Sequence, residues 1–236
     1  LIQVSLLVAR LAKIRAQLIK GDMQLKIKQM TLVTVLSVAA GSAFAGDWYA
    51  LGSFGQSKVD GNVASEVNAE LIDAGVTGLS SSFDDKDTSY KLQLGYSFTP
   101  YLAVEGGYID LGKFQYSAAF TGPVAGSAVA EVKAAGFNVG AVASYPMNDQ
   151  FEIFGKLGII NAKVEGSAAA SGSGVTISEN VSATKTKSYL GVGAAYNFNE
   201  QLGLHLAWER FNNLGDKDKT GESDVDLVSL GLKLNF

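Results

Sequence analysis

Apolar and polar residues alternate along the chain in segments of roughly ten residues, over 47–56, 88–98, 101–111, 131–145, 150–163, 187–198, 200–211 and 225–236. Alternation of this kind sends successive side chains of an extended strand to opposite faces. In the last segment Val228, Leu230, Leu232, Leu234 and Phe236 share one face, and Leu227, Ser229, Gly231, Lys233 and Asn235 share the other. The second segment sets Tyr90, Leu92, Leu94, Tyr96 and Phe98 against Lys91, Gln93, Gly95 and Ser97, and the sixth sets Leu190, Val192, Ala194, Tyr196 and Phe198 against Gly191, Gly193 and Asn197. Ten residues is about the length a tilted strand needs to cross a bilayer. One face is fit for lipid, and the small and polar face suits the narrow, side-chain-filled interior of a barrel of about eight strands. A soluble ligand-binding barrel would reverse that polarity. The pattern predicts an all-β fold: an eight-stranded antiparallel up-and-down transmembrane β-barrel.

The connections divide into two kinds. Thr99-Pro100, Pro146-Met147-Asn148-Asp149 and Asn199-Glu200 are short and made of turn formers, so they predict tight hairpins. The stretches 57–87, 112–130, 164–186 and 212–224 are long, polar and rich in Gly, Ser, Ala, Asp and Lys, and they predict loops. Short turns at one end and long loops at the other are the asymmetry of an outer-membrane barrel, with the turns in the periplasm and the loops outside. Within the first long connection, Val63, Val67 and Leu71 repeat at helical spacing, which predicts a short helix. Aromatics mark both strand ends, as membrane interfaces require. Trp48, Phe98, Tyr145, Phe151, Tyr196, Phe198 and Phe236 fall towards the turns, and Phe54, Tyr90, Tyr108 and Trp208 towards the loops.

The start of the chain follows a different rule. From Met23 it reads MQLKIKQMTLVTVLSVAAGSAFA, with Lys26 and Lys28, an apolar run from Met30 to Ala40 and the small-x-small site Ala43-Phe44-Ala45. This three-part pattern is a secretory signal, expected over 23–45 and cleaved after Ala45, and its apolar run is short for a membrane-spanning helix. Residues 1–22 precede a complete signal and read as an over-long start that takes no part in the fold, which leaves 46–236 for the barrel.

Charge and composition then narrow the chemistry. Residues 1–45 hold six basic side chains and one acid, so the remaining 13 basic and 22 acidic residues give the rest a charge of −9. That balance argues against nucleic-acid binding. The sequence has no cysteine, which excludes disulfides and thiolate metal sites, and its single histidine excludes multi-histidine ones. That histidine, His205, has the parity of Gly203, Ala207 and Glu209, which aims it into the lumen, so it reads as a packed polar residue and no catalytic, cofactor or metal site is expected. The runs Asp84-Asp85-Lys86-Asp87 and Asp216-Lys217-Asp218, and Glu222, Asp224 and Asp226, read as solvated loop ends.

Five stretches carry a resemblance. Asp47-Trp48-Tyr49-Ala50, TPYLAVEGGYIDLG (99–112), YPMNDQFEIFGKLG (145–158), FNNLGD (211–216) and SLGLKLNF (229–236) resemble, in order, the transmembrane domain of the outer membrane protein A family. Members often carry a periplasmic peptidoglycan-binding domain after the barrel, and the resemblance here ends at Phe236 without it. It implies a Gram-negative outer-membrane location among lipids and lipopolysaccharide, and roles in envelope integrity, adhesion, or contact with host or phage ligands. Phe236 resembles the terminal aromatic by which the barrel assembly machinery recognises its substrates. The resemblance implies an ion-pair cluster in the interior, which Glu105 and Lys156 match by position, whereas Val142 stands where the family can have a lysine and segment 225–236 has no arginine. Lys91, Glu152, Glu209 and Lys233 also point inward and are expected to extend a lumenal network, since buried charges must pair. Three functions follow in order of expectation: a non-enzymatic surface barrel, a narrow pore for small solutes, and an outer-membrane lipid-modifying enzyme.

Overall fold

The computed structural model describes residues 47–61 and 63–236, so the expected signal, its cleavage site and the segment 1–22 lie outside the described residues. The elements are β1 (Asp47–Asp60), α1 (Val63–Asp73), β2 (Ser80–Asp84), β3 (Lys86–Thr99), β4 (Leu102–Phe120), β5 (Gly126–Pro146), β6 (Phe151–Gly172), β7 (Val175–Asn197), β8 (Leu202–Asp216) and β9 (Gly221–Asn235). Eight of the strands, all but β2, form a closed antiparallel ring in sequence order. The ring shuts where β1 meets β9, in a register running from Tyr49↔Asn235 to Asp60↔Asp224. Closure gives every strand two neighbours within the membrane, which hydrocarbon demands of a backbone it cannot hydrogen-bond. Among the described residues no helix is long and apolar enough to span a bilayer.

The three tight turns share one device. Thr99 Oγ1 accepts from the amides of Tyr101 and Leu102 (3.2 and 3.1 Å), Asn148 Oδ1 from those of Gln150 and Phe151 (2.9 and 2.8 Å), and Asn199 Oδ1 from those of Gln201 and Leu202 (2.9 and 2.8 Å). A short oxygen-bearing side chain here takes the place of a backbone acceptor, which is why Thr and Asn open these turns.

At the opposite end the structure departs from the expected loops. Much of 112–130 and most of 164–186 is strand: β4 and β5 stay paired out to Phe120↔Gly126, and β6 and β7 to Gly172↔Val175. The second hairpin closes on Ser173 and Gly174, both at positive φ (51° and 77°), in the manner of a two-residue turn that matches strand twist. In β4 the inward residues Phe114 and Tyr116 stay buried, whereas beyond Val164 most of β6 and β7 is exposed on both faces, so the alternation that marks a half-buried strand fades there although pairing continues. The first connection contains α1, and β2 then lies along β4 beyond the end of β3, from Ser80↔Ala119 to Asp84↔Gln115.

On the outside, every strand of the ring is apolar up to one level and polar beyond it. Along β9, Phe236, Leu234, Leu232, Leu230 and Val228 give way to Asp226 and Asp224. The first polar outward residues around the ring are Gln56, Thr88, Asp110, Lys133, Asn161, Ser188, Arg210 and Asp226. Aromatics line the turn-side border: Trp48 packs on Tyr96 at 5.1 Å and Tyr96 on Phe98 at 5.0 Å, while Tyr196 contacts Phe151 at 4.9 Å and Phe198 at 5.2 Å. Tyr145 and Phe236 are exposed at the same end, and the Phe236 amide donates to the Trp48 carbonyl at 2.9 Å. At the other border stand Phe54, Tyr90, Trp208 and Tyr108, the last packed on Phe137 at 5.3 Å, and Arg210 lies 5.9 Å over the Trp208 ring. The result is an apolar belt with aromatic rims, the surface a bilayer core selects.

Candidate functional site

The interior is filled in three layers. Nearest the turns, Val142, Phe154, Ala195 and Ala207 form an apolar cluster, with His205 stacked on Phe154 at 4.2 Å. Val142 is a packing residue of this cluster. Towards the long hairpins lies a larger apolar layer that includes Ile109, Leu111, Phe114, Ile160, Phe211 and Leu227, with Tyr189 stacked on Phe211 at 5.3 Å. The charges lie between the two.

In that middle layer Lys156 Nζ sits 2.5 Å from Glu105 Oε2, and Tyr49 donates its hydroxyl to Glu105 Oε1 at 2.8 Å. A second pair joins Lys91 to Glu209, and both side chains of each pair are 3% exposed or less. Asn138 donates to the Tyr189 hydroxyl at 3.1 Å and ties the charged layer to the apolar one above. Leaving either charge of such a pair without its partner is costly, about 3–5 kcal/mol, so within each pair the two side chains hold each other in place.

The six expected network residues do not all meet. Glu105, Lys156, Lys91 and Glu209 form the two pairs, whereas Glu152 accepts from Ser144 Oγ at 2.7 Å and Lys233 rests 4.3 Å over the Tyr49 ring. Both outliers are partly exposed and sit nearer the turn end, where water reaches them and a charged partner is not required. Close packing of the rings depends on residues that lack a side chain. A Cβ at Gly95 would fall on the Tyr49 ring, and one at Gly193 on Phe154, so each aromatic lies flat on the neighbouring strand.

Sequence reasoning missed the upper apolar layer and the role of Tyr49. The signal for the layer was present: YIDL (108–111), GIIN (158–161), WERF (208–211) and DLVSL (226–230) carry apolar residues at both parities near the loop end. Also unforeseen was the mouth of the barrel, where Lys187 pairs with Glu222 at 2.5 Å and Lys185 with Asp216 at 2.7 Å. The Lys185 ammonium holds the Asp216 carboxyl below the usual carboxylate range, helped by the Asp218 amide, and Asp216 in turn raises Lys185. Three other loop-end acids are engaged as well. Asp226 binds Arg210 through two oxygens at 2.7 Å each, Asp224 accepts from the Asn213 amide at 2.8 Å, and Asp87 from the Lys113 amide at 2.7 Å.

A closed ring with an apolar belt, aromatic rims and a plugged polar core defines a transmembrane β-barrel of the bacterial outer membrane. The chain belongs to the OmpA-like transmembrane domain family, whose sequence model matches residues 43–236. Outer membrane protein A of Klebsiella pneumoniae is 29% identical over 143 residues, which cover 60% of this chain and 39% of that protein. Its counterpart in Serratia marcescens is 29% identical over 144 residues, 61% of this chain and 38% of the relative. The chain thus spans about two fifths of the length of these curated relatives. Among solved structures, Ail, the attachment invasion locus protein of Yersinia pestis, in complex with the heparin analogue sucrose octasulfate, matches at 18% identity and a TM-score of 0.45, covering 81% of this chain and 99% of that one. The outer membrane protein OprG of Pseudomonas aeruginosa matches at 17% identity and a TM-score of 0.43, over 81% of this chain and 96% of its own.

Proposed function

We propose that this protein is a non-enzymatic surface barrel. Its strands form a rigid, sealed scaffold in the outer membrane that supports envelope integrity, and its four outer hairpins carry recognition of host or phage ligands. The observation that carries this reading is the layered interior: two buried ion pairs lie in the lumen with an apolar layer on either side. His205, the sequence's one histidine, is 5% exposed and enclosed in that lumen against Phe154, where neither a lipid nor a peptide reaches it as a substrate of a general base. Lipids and lipopolysaccharide would surround the apolar belt, and the barrel assembly machinery would engage the terminal strand with Phe236. The signal over 23–45 would be removed after Ala45 during export.

The second reading, a narrow pore, draws on the same ion pairs, because a carboxylate between two lysines could exchange partners. Planar-bilayer recording of the purified protein separates the two. The scaffold reading predicts no steady unitary current, with Lys156→Met and Glu105→Gln equally silent. Discrete, long-lived openings in the wild-type protein that change in size with either substitution would establish the pore instead.

A further inference from the structure

The sheet that projects beyond the membrane has one covered border and one open border. On the β4 side, β2 adds a strand over residues 115–119. On the β7 side nothing corresponds: β6 pairs with β7 along its full length to Gly172↔Val175, whereas β8 pairs only from Asn197↔Gly203 to Tyr189↔Phe211. Among the described residues, 175–187 therefore present a row of backbone donors and acceptors with no strand beside them. At the base the Asn212 amide reaches the Ser188 carbonyl at 3.4 Å, and Lys185 and Lys187 lean across the mouth to Asp216 and Glu222.

Exposed edges in native proteins are usually blunted by proline, a bulge, outward lysines or brevity. None of these protects this one. Residues 175–187 contain no proline or glycine, their pairing with β6 shows no register shift, and both lysines are held in ion pairs on the mouth side. The sequence VTISENVSATKTK is rich in β-branched residues, which favour an extended chain. Its two faces differ. Val175, Ile177, Glu179 and Val181 lie on one, with Val175 56% and Ile177 43% exposed, and Thr176, Ser178, Asn180 and Ser182 on the other. Glu179 has no ion-pair partner among the described residues.

We propose that the free edge of β7 over 175–187 receives an extended segment of a partner protein by strand addition. The chemistry of the edge defines the segment: apolar side chains alternating with hydroxyl-bearing ones, and a basic residue opposite Glu179. Backbone hydrogen bonds supply affinity and the alternate side chains supply specificity. A second copy in the same membrane fits poorly. Strands tilted by about 35–45° from the membrane normal cross at roughly 70–90° about a twofold axis along that normal, so two β7 edges cannot align. This inference rests on the surface-recognition reading and names the class of partner.

The test uses the protein in lipid nanodiscs, titrated with a twelve-residue peptide of alternating Val and Thr with one central Lys. Two control peptides carry N-methyl groups on every second residue, or Glu in place of the Lys. Binding should shift NMR amide signals only in and around 175–188, and the N-methylated peptide should not bind. Glu179→Lys should weaken the Lys peptide by about threefold to fivefold and favour the Glu peptide to a similar degree, the scale of a cross-strand charge pair. Of Val181→Pro and Ser182→Pro, the one whose amide faces the edge should abolish binding while the unboiled protein still migrates as a compact band on a gel. Absence of binding, equal binding of the N-methylated peptide, or shifts centred elsewhere would overturn the proposal, as would dimerisation through the edge. Channel activity is read independently, so a silent barrel that ignores the peptide sinks the edge alone, and a conducting one sinks the scaffold reading.

Discussion

At the scale of single residues, the interior is organised by what large side chains lie upon. Tyr49 fills the lumen, donates to Glu105 at 2.8 Å and lies flat over Gly95 of the adjacent strand, so one ring both satisfies a buried carboxylate and closes the wall. Gly95→Ala should cost about 1–3 kcal/mol, the range for forcing an extra carbon into a packed core. The same change at outward Gly52, where nothing lies within 4 Å of a new Cβ, should leave stability nearly unchanged. Urea unfolding of the two variants in lipid checks this pair, and equal midpoints would show that the ring does not depend on the glycine. In the sequence, the parity of Lys91, Glu105, Lys156 and Glu209 was enough to send them inward. Which of them pair was not legible, because inward parity says nothing about height along the barrel, and Glu152 and Lys233 differ from the other four only in that respect.

At the scale of elements, the eight membrane segments could be read because a strand with lipid on one side and a packed lumen on the other must alternate. The same strands continue through Lys113, Glu131, Glu165 and Ser182, with a register shift between Asp110 and Lys113, and the alternation fades with distance: Phe114, Tyr116 and Val164 still pack inward, whereas beyond them most of β6 and β7 is exposed on both faces. Composition rich in Gly, Ser and Ala then looks like loop. The helix at Val63–Asp73 was visible because it keeps an apolar stripe, with Val63 packed against the upper layer and Asn68 accepting from the Tyr116 hydroxyl at 2.5 Å. The projecting hairpins are clasped to the mouth by Lys185 and Asp216. Asp216 titrates below its unfolded value, so its contribution is complete above about pH 4 and is lost as pH falls through the lower folded value. Lys185 titrates above its unfolded value, so its share persists below about pH 10 and is lost only as pH rises through the higher one. Amide exchange at residues 216–220, corrected for intrinsic rates, should therefore be flat across neutral pH and accelerate in acid, and Asp216→Asn should remove the acid step. An acid step unchanged in that variant would place the clasp elsewhere.

At the scale of the whole molecule, the outer surface and the interior fit together: an apolar belt outside, layered buried side chains inside, and polar residues at the turn end and beyond the level of Gln56, Arg210 and Asp226. Under the proposed scaffold reading, such a barrel presents its outer hairpins for recognition. Because the chain has no cysteine, single cysteines can be introduced and spin-labelled without a background. The most direct test is a scan of β9 in lipid from position 224 to 236, comparing accessibility to oxygen, which partitions into the bilayer, with accessibility to a water-soluble nickel chelate. The account predicts oxygen access at 228, 230, 232 and 234, nickel access at 224 and 226, and neither at the inward positions 227, 229 and 231. Nickel access along those inward positions would reveal an open lumen, and nickel access at both parities would remove the chain from the membrane altogether.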